Sequence, residues 1–244
     1  MDPYLNRDVY RSRIQDGDLV RYRVTLGESD LFIASEKDLS AEALRYAGEI
    51  RSVITQAIKK DSSFQSSLRP VDIRDDDPEE IRRMKNAGML CRVGPMAAVA
   101  GLVAEYVGRR LLPLTDTVIV ENGGDIFMKS SSPVSVGIYA PGSVLSGKLG
   151  ILADASEGIG VCTSSGTYGH SLSFGASQAA VAVSGDTALA DAAATRLGNL
   201  LKDPSRIRRA LEEIMKIEGI VGAAAVVDGS VGFLGDLNVQ VLEA

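Results

Sequence analysis

The chain has 244 residues and a formal net charge of −6, and its composition is 45% hydrophobic and 24% charged. That length suits one large domain or two small ones, and the apolar share is ample for a core. An acidic surface repels nucleic acid, and the two basic clusters, "IRRMK" at 81–85 and "RIRRALEEIMK" at 206–216, mix with acids at helical spacing as solvated helix faces do.

No run of about 18 apolar residues occurs, so no membrane span is expected. The opening "MDPYLNRDVYRSR" lacks an apolar stretch, so no signal peptide is expected and a cytoplasmic chain is the default. Cys91 and Cys162 lie far apart in apolar surroundings without metal-type spacing, and read as buried small hydrophobes.

Residues 19–35 read as a hairpin turning at "GESD". In 37–61, Leu44, Ala47, Ile50, Val53, Ile54 and Ile58 recur at helical spacing, and Ser40 is a plausible N-cap. Residues 69–90 are polar, with Pro78 near the start of a short helix. The Ala-rich, nearly uncharged stretch 94–113 reads as a buried helix that stops at Pro113, a core helix or a dimer contact. Residues 115–141 hold two strand runs around a glycine turn, and further strands follow in 150–165 and 177–186. A helix capped by Asp186 or Thr187 comes next, then a second with Gly219 just past its end. The tail turns at "DGS", 228–230, as a hairpin. Helices in blocks between antiparallel hairpins argue for α+β, with mixed or antiparallel sheets and packed helices, as one domain over 1–244 with room for two lobes.

Three places could carry chemistry. In "VIVENGGDIFM", Asn122, Gly123, Gly124 and Asp125 form either a tight hairpin turn or a backbone approach to a ligand. In "ADAAAT", Asp191 and Thr195 share one helix face lined by small residues. They could hold a hard cation through oxygen, or Asp191 could be an exposed acid near a helix N-terminus. The segment "GVCTSSGTYGHSLSFG", 160–175, places Thr163, Ser164, Ser165 and Thr167 before His170, the chain's one histidine. A Ser–His hydrolase needs an orienting acid and an oxyanion hole, and no G-x-S-x-G is present.

Taken in order, "GPMAAVAG", "VENGGDI", "CTSSGTYGH" and "ADAAAT" resemble the ApbE-like superfamily, the FAD:protein FMN transferases, over roughly residues 88–200. The resemblance implies Asp191 and Thr195 as ligands to a divalent metal such as Mg²⁺. It implies Asn122, Gly123, Gly124, Asp125, Ser165, Gly166 and Tyr168 as flavin-nucleotide contacts, and His170 with Asp191 in catalysis. Tyr168, Met128 and Phe174 are candidates for an apolar wall against a flavin ring. The pattern departs in places: Ala100 stands at the superfamily's lysine, Glu105 at its aspartate, and no Asp-Pro follows His170. Three readings follow: a metal-dependent FMN transferase or FAD pyrophosphatase with a protein acceptor, a module that binds FAD or FMN without turnover, and an enzyme of another substrate on the same scaffold. A homo-oligomer fits any of them.

Overall fold

The computed structural model describes residues 19–165 and 176–242. The chain opens with the hairpin β1 (Val20–Leu26) and β2 (Ser29–Ser35). Helices α1 (Ser40–Lys60), α2 (Ser63–Ser66), α3 (Glu79–Cys91) and α4 (Val99–Leu111) follow. Strands β3 (Val118–Asn122), β4 (Asp125–Lys129), β5 (Val134–Gly137), β6 (Leu149–Ala153), β7 (Ile159–Ser164) and β8 (Ala179–Ser184) come next. Helices α5 (Thr187–Leu200) and α6 (Ile207–Ile214) precede β9 (Ile220–Val227), β10 (Ser230–Gly235) and β11 (Asn238–Val241).

Eight strands form one sheet in the order β1-β2-β3-β4-β7-β8-β9-β10, and β11-β6-β5 form a second. Every pairing is antiparallel. The large sheet grows in chain order, so each new strand joins the previous edge. The helices enter between β2 and β3 and between β8 and β9. The small sheet enters between β4 and β7 and is completed by β11.

Both faces of the large sheet are covered. Val118, Val120, Phe127, Cys162 and Ala182 pack with the helices, while Ile119, Ile126, Met128, Val161 and Val183 pack with the small sheet. A strand buried on both faces has no solvent side, which is why "VIV" and "AAVAV" read as unbroken apolar runs. Met128, a candidate flavin wall by resemblance, is fully buried between the two sheets. Three residues along the strand from Asp125, it points to the opposite face, so it belongs to the core.

Ser40 is the first residue of α1 rather than its cap; Leu39 holds the cap position, and Asp38 accepts the Ser40 N–H at 2.9 Å. Asp186 caps α5, accepting from the Ala188 and Leu189 amides at 3.0 and 3.2 Å. The Ala-rich α4 is a core helix, with Gly101 through Glu105 all buried. The cluster at 81–85 is not a solvated face. Lys85 shares the inward face with Ile81 one turn earlier, is 3% exposed, and donates to Asp77 at 2.6 Å. Arg83 bonds Glu105 and Asp186. The second cluster does face solvent, where Arg208 pairs with Glu212 one turn on. Both cysteines are free and buried, and burial pushes the Cys91 thiol up to about 12. No single helix among the described residues is long and apolar enough to cross a membrane.

Candidate functional site: two buried carboxylates beneath a glycine turn

Asp191 sits on the second turn of α5 and is 8% exposed. It is therefore not an exposed acid near a helix end. Its Oδ2 accepts the Gly101 N–H at 2.9 Å. Ala98 holds the cap position of helix α4 and supplies no side-chain cap. The first amides of a helix need an acceptor, and the helix dipole favours a negative one. Asp191 meets both needs from the neighbouring helix. The approach depends on Gly101, where a Cβ would stand 2.4 Å from the Thr187 carbonyl oxygen and 2.9 Å from the Asp191 Cβ. Thr195, one turn beyond Asp191, is buried as well.

The β3–β4 hairpin turns through Gly123 and Gly124, at φ +68° and +104°. Side chains rarely adopt either angle, so the turn demands glycine. The Gly124 N–H is satisfied by Glu121 Oε1 at 2.7 Å. Asn122 donates to the Ala100 carbonyl at 3.1 Å, tying the turn to the start of α4. Asp125 pairs with Cys162 across β4 and β7, and both face the helices. That register carries Asp125 under Asp191.

Two carboxylates in one dry space resist ionising together. Burial pushes Asp191 up to about 7, against the Gly101 and Ala100 amides that favour its charge. Burial, then the charge of Asp191, pushes Asp125 well above the usual carboxylate range, while the Cys162 thiol pulls it partway back. Burial and the same two acids push the Cys162 thiol up. Asp125 Oδ1 and Ser164 Oγ are buried and meet no hydrogen-bond partner among the described residues.

This donor set fits a hard divalent cation of one kind. Among the described residues, no three His, Cys, Asp or Glu side chains gather as a metal-ligand group. Mg²⁺ seldom needs such a cage: one or two carboxylates, with water and substrate phosphates, commonly suffice. The orphaned Asp125 oxygen beside a second buried acid is the feature such a cation would relieve.

Of the residues singled out in the sequence, Asn122, Gly123, Gly124 and Asp125 form the turn tied to the start of α4, Asp191 reaches α4 from α5, Thr195 is buried one turn beyond Asp191, and half-buried Ser165 follows the end of β7. Gly166, Tyr168, His170 and Phe174 lie outside the described residues. The sequence reading missed Gly101 as the close approach and Glu121 as the brace of the turn. Gly101 carried a signal, standing one turn before Glu105 in a helix of small residues. Glu121, next to a known turn, carried none beyond proximity.

The family model described as "AbpE bacteria" matches residues 11–241. A UPF0280 protein of Methanocaldococcus jannaschii is 36% identical over 222 residues, covering 88% of this chain and 90% of its own length. A UPF0280 protein of Methanocella arvoryzae is 40% identical over 190 residues, covering 77% of each. Among solved structures, the apo flavinyl transferase ApbE of Pseudomonas stutzeri superposes with a TM-score of 0.56 at 13% identity, covering 89% of this chain and 94% of that one. The ApbE protein of Thermotoga maritima gives 0.58 at 10% identity, covering 89% and 97%. At those identities the likeness is one of fold, and with the family match over nearly the whole length, the chain belongs to the AbpE bacteria family.

Proposed function

We propose that this protein handles a flavin nucleotide with the help of a divalent cation. FAD is the substrate, its pyrophosphate is the reacting group, and a protein side chain or water receives the FMN moiety. The observation that carries the reading is the buried pair Asp125 and Asp191, with one carboxylate oxygen that meets no partner among the described residues. The likeness to flavinyl transferases of the same fold supplies the flavin.

Asp125, Asp191 and the Thr195 hydroxyl would hold Mg²⁺, which, when bound, neutralises pyrophosphate charge and polarises the bond to be broken. The chain's own residues do the rest. The Gly123–Gly124 turn lets a phosphate approach the backbone, since among the described residues no atom beyond its chain neighbours lies within 4 Å of where a Gly123 Cβ would stand. Asn122 holds that turn against α4. Helix α4 holds Asp191 at a fixed rotamer through the Gly101 amide. Burial keeps water from the acid pair, so their charge acts at low dielectric.

Binding without turnover is the second reading. Ala100 favours it, because a superfamily lysine at that position is absent here and no charge replaces it. One experiment separates the two. The protein is incubated with FAD and MgCl₂, and AMP and FMN are followed by chromatography. The first reading expects AMP with wild type and none with Asp191→Asn. Stoichiometric FAD binding without AMP selects the second. No binding and no AMP removes the flavin from both.

A further inference from the structure

Glu105 is a buried acid that the cation reading does not use. It is 2% exposed, on α4 one turn beyond Gly101. Its Oε2 accepts the Thr187 N–H at 2.9 Å and the Arg83 Nη2 at 2.7 Å, and its Oε1 accepts the Arg109 Nε at 2.6 Å. Arg83 Nη2 also donates to Asp186, the cap of α5, at 2.8 Å. One carboxylate therefore joins α3, α4 and the first turn of α5.

Two hydrogen bonds between α4 and α5 form a ladder with rungs one helical turn apart. Glu105 meets Thr187, and Gly101 meets Asp191. The spacing matches on both helices, so fixing the first rung fixes the axial register of the second. Packed helices can shear past one another by small steps, and Ala188 and Ala192, each next to a rung residue of α5, are small. A charged, buried, three-helix anchor removes that freedom.

We propose that Glu105 is a positioning residue: through Thr187 it sets the register of α5 on α4 and so holds the Asp191 carboxylate where a divalent cation meets it. This rests on the cation reading of Asp125 and Asp191. It predicts that loss of the Glu105 charge weakens the cation site although Glu105 is not one of its proposed ligands.

Mn²⁺ alone is the probe, followed by the loss of its free EPR signal on titration. Wild type, Glu105→Gln and Lys85→Met are compared. Lys85→Met breaks the buried Lys85–Asp77 pair instead and serves as a destabilised control. Glu105→Gln should weaken Mn²⁺ binding by about tenfold to a hundredfold, the usual cost of an outer supporting group, with no change in Lys85→Met. Equal affinities in Glu105→Gln and wild type, or equal losses in both variants, overturn the proposal. If wild type binds no Mn²⁺, the cation reading fails, and hydrogen exchange at the Gly101 amide decides the positioning role. Protection lost in Glu105→Gln and kept in Lys85→Met supports it; protection kept in both, or lost in both, overturns it. If Glu105→Gln does not fold, Arg83→Met loosens the same carboxylate from its partly exposed side and is read by the same outcomes.

Discussion

The Gly101 amide ends on the Asp191 carboxylate, 2.9 Å away, so a helix that begins without its own cap is capped by the next helix in the layer. The contact needs a residue without a side chain. Alanine at 101 would raise helix propensity by about 1 kcal/mol, but its Cβ would overlap the Thr187 carbonyl oxygen. The clash wins, because both partners are backbone or core. Gly101→Ala is expected to lower stability by about 1–3 kcal/mol, read from urea unfolding.

The acid pair makes the metal-free fold sensitive to alkali. Asp191 rises from 3.8 in an ordinary setting to about 7 in the fold. A carboxylate raised in the native state binds its proton more tightly there than in the unfolded chain. Its contribution is therefore neutral below about pH 4 and becomes a growing penalty up to about pH 7. Asp191→Asn keeps an oxygen for the Gly101 amide and removes the charge. In EDTA, the Tm of Asp191→Asn minus that of wild type should grow between pH 4 and pH 8. A constant difference would contradict a carboxyl raised by burial at Asp191.

A cation would take the place of that proton. Magnesium chloride at pH 8 should raise the Tm of wild type and leave Asp191→Asn unmoved, since a ligand that binds only the folded form stabilises it.

The Lys85–Asp77 pair is worth most when one partner is lost. Lys85 is 3% exposed and Asp77 is its charged partner at 2.6 Å. Asp77→Ala leaves a buried ammonium unpaired and should cost about 3–5 kcal/mol in urea unfolding. Replacing both residues by apolar ones should recover much of that loss.

Neither cysteine should react in the folded state. Cys91 is pushed up to about 12 by burial, and Cys162 is raised by burial and by Asp125. Thiolate is the reactive form, so Ellman's reagent at pH 8 should titrate two thiols only after denaturant is added.

Much of this was legible in the sequence, and the limits are physical. Asp191 and Thr195 lie one turn apart, so a shared face follows from helix geometry alone. The turn at Gly123–Gly124 follows from glycine between two apolar runs. The meeting of Asp125 with Asp191 does not, because it depends on the register of β4 against β7 and on α5 crossing both. Arg83 and Asp186 are 103 residues apart, beyond any local pattern. Lys85 read as solvated because charge was weighed above its place one turn after Ile81. Met128 is different: its odd spacing from Asp125 already placed it on the opposite face of the strand.

The most direct measurement is calorimetric titration of FAD into the protein with MgCl₂ and again with EDTA, for wild type, Asp125→Asn and Asp191→Asn. FAD should bind wild type with Mg²⁺, more weakly by about tenfold or more in EDTA. Both variants should match the EDTA result whether or not Mg²⁺ is present. FAD binding of equal strength in EDTA and in MgCl₂, or no binding under either condition, would contradict a cation-assisted flavin site at Asp125 and Asp191.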